Sequence, residues 1–211
     1  MRPDSAERIA DTGVIAILRG VAVEDAPDVA EAVADGGVTA LEITADTPNV
    51  TAAIEAVADR VDAAVGVGTV LDAETTRAAQ LAGAEFVVTP TVNREVIRTA
   101  NRYGTPIAAG AYTPTEALDA FEAGADFVKV FPAKTGGPDH VAALGGPLAQ
   151  IPLVPTGGVS ADNARAYIEA GATAVGVGSA IVDHDAVEAG AYDRIAANAR
   201  AVVEAVAAAR D

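Results

Sequence analysis

The chain has 211 residues, 30 acidic against 14 basic groups, a formal net charge of −16 and 51% hydrophobic residues. This supports one domain with a full core, and the acidic excess excludes a general binder of nucleic acid or of an anionic membrane, because it repels phosphate. The absence of cysteine removes disulfides, thiolate metal sites and a thiol nucleophile, and two histidines far apart in sequence, His140 and His184, exclude a multi-histidine metal site within one chain.

Short runs rich in valine, isoleucine, phenylalanine and small residues recur along the whole chain. They are VIAILR (14–19), TALEIT (39–44), AAVGVGT (63–69), AEFVVTP (84–90), TPIAAGA (105–111), ADFVKVF (125–131), IPLVPTG (151–157) and TAVGVG (173–178). The stretches between them, such as APDVAEAVADGG and AETTRAAQLAGA, place apolar residues at three- and four-residue steps and read as amphipathic helices. Near-continuous apolar strands alternating with such helices imply parallel strands buried on both faces. Gly36-Gly37, Gly83, Gly104, Gly124 and Gly171 each precede a strand, as expected of helix C-terminal glycines in the left-handed conformation. Thr113-Pro114-Thr115-Glu116 reads as a capping box, and Ser160-Ala161-Asp162 as another helix start. The segment from Ala186 to Asp211 reads as one final amphipathic helix, and residues 1–211 as a single domain with no linker. Eight βα units predict an α/β fold of the (β/α)₈ barrel type. The alternative is an open doubly wound sheet, but Arg19-Gly20-Val21-Ala22 after the first strand lacks the glycine fingerprint that would favour it.

No apolar run reaches the roughly 18 residues of a transmembrane helix, and MRPDSAERIADTG lacks the apolar core of a signal peptide. A soluble cytoplasmic protein is the simplest expectation. Arginine occurs twelve times and lysine twice, as Lys129 and Lys134. Acidic excess with little lysine suits a salt-rich interior, where screening quiets repulsion between like charges; an ordinary acidic protein is the alternative.

Barrel chemistry sits at the carboxyl ends of the strands. There stand Arg19, Glu42 with Thr44, Thr69, Thr89-Pro90, Lys129 with Phe131, Thr156-Gly157-Gly158 and Gly178-Ser179. Lys129 lies inside the apolar FVKVF, and alternation puts it on one face with Phe127 and Phe131. Two readings are open. If that face is the interior, burial disfavours the charged form and the amine can attack a ketone; otherwise the stem is buried and the head is wet or ion-paired. Glu42, within ALEIT, reads either as the proton-transfer group such chemistry needs or as a structural ion pair with Lys129 or Arg19. Glycines on the last two strands admit close approach of main-chain N–H groups to an anion, where barrels often bind phosphate. His140 and His184 read as surface or loop residues.

The ordered set LEIT, GVGTV, VVTP, TPTE, KVFPA and PTGGVS resembles the KDPG/KHG aldolases, the class I 2-keto-3-deoxy-6-phosphogluconate and 4-hydroxy-2-oxoglutarate aldolases, over nearly the whole chain. The resemblance implies Lys129 as the Schiff-base lysine and Glu42 as general acid and base. It implies Thr69 as a contact of the pyruvyl part, and Pro90 and Phe131 as walls of the pyruvate pocket. Thr156, Gly157, Gly158, Gly178 and Ser179 match the phosphate-binding segment. It further implies a homotrimer acting on a phosphorylated keto acid, with no metal and no organic cofactor. Alternatives are the same chemistry on the galactonate epimer or on unphosphorylated hydroxy-oxoglutarate, a phosphosugar isomerase or synthase without an imine, and a noncatalytic phosphosugar-binding barrel. Asp46 stands where many members carry an arginine for the substrate carboxylate, Thr91 where a glycine is common and Ala109 where a proline is common. An ionised aspartate cannot donate to a carboxylate, so Arg19 is expected to supply the missing cation.

Overall fold

The computed structural model describes residues 4–210. In chain order the elements are α1 (Asp4–Thr12), β1 (Val14–Leu18), α2 (Ala26–Asp35), β2 (Ala40–Thr44), α3 (Val50–Ala58), β3 (Ala64–Gly68), α4 (Ala73–Leu81), β4 (Phe86–Val88), α5 (Arg94–Arg102), β5 (Ile107–Ala111), α6 (Pro114–Glu122), β6 (Phe127–Val130), α7 (Ala133–Gly145), β7 (Leu153–Pro155), α8 (Ala161–Glu169), β8 (Val175–Val177), α9 (His184–Glu188) and α10 (Tyr192–Ala207). Each strand falls within a run predicted from the sequence. All pairings are parallel, in the order β7-β6-β5-β4-β3-β2-β1-β8. A parallel bridge between Thr156 and Gly176 closes the ring between β7 and β8. The doubly wound alternative is thereby removed, and the fold is a (β/α)₈ barrel.

Alternation along the strands divides the core in two. Outward residues such as Leu41, Val65, Val87 and Val128 pack under the helices. Inward residues Ile15, Ala40, Ala64, Phe86, Ala108, Phe127, Val154 and Ala174 fill the amino-terminal half of the barrel. Ala6 and Ile9 of α1 join this inner cluster and plug that end. Ser5 Oγ anchors the plug by donating to Glu85 O at 3.1 Å. The interior is therefore solid at one end, and the carboxyl ends of the strands hold what space remains.

The helix ends follow the expected chemistry. Gly37, Gly83, Gly104, Gly124 and Gly171 all have positive φ. Gly36, by contrast, is right-handed, so the reversal falls on the second glycine of that pair. Thr113 and Glu116 form the capping box of α6. The terminal segment differs from expectation: it is two helices, α9 and α10, separated at Gly190, whose φ is 62°. Among the described residues no helix is long and apolar enough to cross a membrane.

Candidate active site

Lys129 and Glu42 both follow the inward alternation, one residue pair above the filled half of the barrel. Lys129 is paired in register with Gly110 and Val154, and Glu42 with Ile17 and Gly66. Since β2 and β6 lie four strands apart in a ring of eight, the two side chains approach from opposite walls. Both are buried, at 4% exposure for Lys129 and 1% for Glu42. No described group forms an ion pair with either, and Glu42 Oε1 has no hydrogen-bond partner. A structural ion pair of Glu42 with Lys129 or Arg19 is therefore absent, as is any ion pair on Lys129, whose stem is buried while the residue lines the open pocket. A buried polar atom without a partner costs roughly 1–3 kcal/mol, a cost that a hydrogen bond from a bound molecule would remove. Thr44 Oγ1 and Thr47 Oγ1, at and beyond the end of β2, are likewise buried without partners.

Glycines in the wall give these side chains room. A Cβ on Gly68 would lie 2.5 Å from Glu42 Cγ and nearer still to its carboxylate. A Cβ on Gly110, beside Lys129, would meet the carbonyl of Pro90 and come within 2.6 Å of Thr91 N. Thr89 Oγ1 fixes that corner, donating to Thr91 O at 2.7 Å and accepting from Gly110 N at 3.2 Å. A Cβ on Gly176 would come within 3.1 Å of Thr156 Cβ and closer to its hydroxyl.

A pocket of about 230 Å³ opens above this level. Lys129 and Phe131 line one side, with Nζ 5.2 Å from the centre of the Phe131 ring, which is 40% exposed. Thr156, Gly157 and Gly158 line the next side, and Gly178 and Ser179 the one after. Gly157 and Gly158 have φ of 95° and 83°, which turn the main chain toward the pocket in a way that side-chain-bearing residues rarely adopt. The loop is held from two sides. Lys134 N donates to Gly157 O at 2.9 Å, and Asn163 Nδ2 donates to Gly158 O at 3.0 Å. Asn163 Oδ1 also accepts from Ser160 N at 2.9 Å, so the predicted helix start at Ser160 is present. Lys134 is exposed, as expected for a residue beyond the strand.

Arg19 also lines the pocket. Its Nη1 donates to Asp46 Oδ2 at 2.6 Å and its Nη2 to Thr69 Oγ1 at 2.8 Å. Thr69 has φ of 57°, unusual for a β-branched residue and the kind of local strain that clusters at functional sites. Asp46 is therefore more than a missing arginine, because it orients Arg19. That role was not legible in the sequence, where the two residues lie 27 positions apart. Glu42, Thr69 and Pro90 do not line this pocket: Glu42 is buried against Gly68, Thr69 stands behind Arg19 as its acceptor, and Pro90 packs over Gly110. Of the two histidines expected at the surface, His140 departs from expectation and His184 does not. His140 is half-buried on α7, stacked on Tyr112 at 4.5 Å, with Nε2 2.7 Å from Tyr112 O. His184 is exposed but lines the pocket. Its only sequence signal is its place five residues after Ser179.

A parallel eight-stranded barrel, plugged at one end and carrying an unpaired buried amine and an unpaired buried carboxyl at the other, defines an enzyme of the (β/α)₈ class. The chain belongs to the family described as KDPG and KHG aldolase, which it matches over residues 6–198, and it is thus an aldolase, a carbon–carbon lyase. It is 38% identical over 198 residues to the 2-dehydro-3-deoxy-6-phosphogalactonate aldolase of Escherichia coli K12, covering 91% of this chain and 93% of the relative. It is 37% identical over 203 residues to the KHG/KDPG aldolase of the same organism, covering 95% of each. Its fold superposes with a TM-score of 0.86, at 29% identity over 96% of this chain and 99% of the other, on the KDPG aldolase of Legionella pneumophila with pyruvate captured as a covalent carbinolamine intermediate.

Proposed function

We propose that this chain is a class I aldolase that reversibly cleaves 2-keto-3-deoxy-6-phosphogluconate to pyruvate and glyceraldehyde 3-phosphate. The observation that carries this reading is the unpaired amine of Lys129, buried at the floor of the open pocket and facing Glu42 across the barrel. Lys129 Nζ attacks the C2 ketone to form a carbinolamine. Loss of the C2 oxygen as water leaves a protonated imine. Removal of the C4 hydroxyl proton then breaks the C3–C4 bond, glyceraldehyde 3-phosphate departs, and the electron pair moves into the imine to form an enamine. Protonation at C3 and hydrolysis by water release pyruvate and free Lys129. Glu42 relays the protons; its Oε1 makes no hydrogen bond to any described residue.

Arg19, oriented by Asp46 and Thr69, supplies the cation for the substrate carboxylate, because only two of its five donors are engaged. Thr69 contacts the pyruvyl part and Phe131 walls its pocket, while Pro90, outside the open pocket, packs over Gly110 beside Lys129. Thr156, Gly157, Gly158, Gly178 and Ser179 hold the phosphate through main-chain N–H groups and hydroxyls. Borohydride reduction in the presence of pyruvate, followed by peptide mapping, tests the reading. A reduced adduct on Lys129, absent in Lys129→Arg, is expected, since a guanidinium stays protonated and forms no imine. Activity without any adduct would favour a non-imine phosphosugar enzyme. The galactonate epimer is the second reading, favoured by the 38% identity to the galactonate-named relative; kinetics on both C4 epimers decide between them. The assembly proposed is the homotrimer implied by the family resemblance, and the setting a salt-rich cytoplasm, which the net charge of −16 suits.

A further inference from the structure

We infer that His184 is a specificity residue that binds the substrate's terminal phosphate, so that this chain adds a side-chain donor to a site otherwise built from glycines and hydroxyls. The inference rests on the function proposed above and concerns the far end of the same pocket. His184 opens α9, just past β8, and lines the pocket together with Gly178 and Ser179. Its Cε1 lies 3.5 Å from where a Cβ on Gly20 would stand, so the ring rests against the loop that follows β1, beside Arg19. It makes no hydrogen bond to any described residue, which leaves both ring nitrogens for a ligand.

The neighbouring acid does not compete for the imidazole. Asp183 Oδ1 accepts from Asp185 N at 2.9 Å, and Oδ2 is paired with Arg194. These contacts tie down the carboxylate beside His184 and fix the start of α9. A substrate bound through its ketone to Lys129 has its phosphate directed to the glycine loops after β7 and β8. His184 stands on the rim next to those loops, where an N–H donor meets a phosphate oxygen.

The test compares kcat/KM for aldol cleavage of 2-keto-3-deoxy-6-phosphogluconate and of its unphosphorylated counterpart, with pyruvate release as the readout. Loss of one hydrogen bond to a charged oxygen corresponds to roughly a tenfold to hundredfold effect. In His184→Ala the preference for the phosphorylated substrate is expected to fall by that factor. Inorganic phosphate should become a correspondingly weaker competitive inhibitor. A preference within twofold of the unmodified protein, or an equal loss on both substrates, overturns the inference. Should the unmodified protein cleave neither keto acid and form no borohydride adduct on Lys129, the functional reading fails instead. Calorimetric titration of both proteins with inorganic phosphate then still decides the role of His184, equal affinities overturning it.

Discussion

Gly68→Ala is the most direct test of how the barrel wall positions Glu42. Gly68 does not have positive φ, so alanine fits its backbone. The difficulty is space: the new methyl would stand 2.5 Å from Glu42 Cγ and closer to the carboxylate. Ordinary carbon contacts lie at about 3.5 Å or more, and Glu42 Oε1 would stand much nearer the methyl than Cγ does, so the side chain must move by well over about 1 Å or swing to another rotamer. Misplacing a catalytic group by 1 Å costs on the order of 100-fold in rate. Overpacking should also cost about 1–3 kcal/mol, with roughly 2–4 °C of Tm for each kcal/mol in a chain of this size. Gly66→Ala is the control, because its methyl would meet the Phe86 ring at 2.5 Å, in the filled half of the barrel. Both variants should lose stability, and Gly68→Ala should in addition lose about 100-fold in kcat. The assay is coupled kinetics of pyruvate release alongside thermal unfolding. A folded Gly68→Ala protein with unchanged kcat, or one no worse than Gly66→Ala, would refute the reasoning.

Two further outcomes follow from contacts at the rim and the surface. Arg19→Ala should raise the pyruvate KM in the synthetic direction by roughly tenfold to hundredfold, as expected for losing a charge-assisted hydrogen bond; an unchanged KM would remove Arg19 from the carboxylate site. At the capping box of α6, Glu116 accepts from the N–H groups of Tyr112 and Thr113 and from the Thr113 hydroxyl, which hold its carboxyl below the usual glutamate value of 4.5. A depressed folded value means that the contribution is complete above the usual value and is lost as pH falls through the lower, folded one. Urea titrations should therefore show Glu116→Gln destabilised at neutral pH, with the gap narrowing on acidification; a gap that stays constant down to pH of about 3 would contradict the assignment.

Much of this protein was legible before any coordinates because the signals are local. A strand buried on both faces needs a continuous apolar run, a helix packed on it needs apolar residues every three or four positions, and a helix turning into a strand needs a left-handed residue. Those demands fall on neighbouring residues, so the eight units, the glycine reversals and the Thr113–Glu116 box are written in the chain in order. Lys129 stood out for the same reason, as a charge within an apolar strand in a chain with only two lysines. The break at Gly190 carries the same local signal, since its Ala-Gly-Ala word and φ of 62° close α9 as Gly83, Gly124 and Gly171 close their helices, although the apolar pattern on either side reads as continuous.

Tertiary structure decided everything that depends on ring closure. Alternation could place Glu42 and Lys129 each on a face, but only the closed barrel sets β2 opposite β6 and keeps carboxyl and amine from pairing. The same closure brings β8 beside β1, which sets His184 of α9 next to the Gly20 loop. The barrel's curvature carries Asp46 and Thr69 to Arg19 from the next two strand ends around the ring. The sequence determined which residues carry charge into the barrel wall, because burying a charged group there is costly enough to stand out. Which of those charges meet and which stay apart follows from the geometry of eight strands in a ring, which no stretch of neighbouring residues encodes.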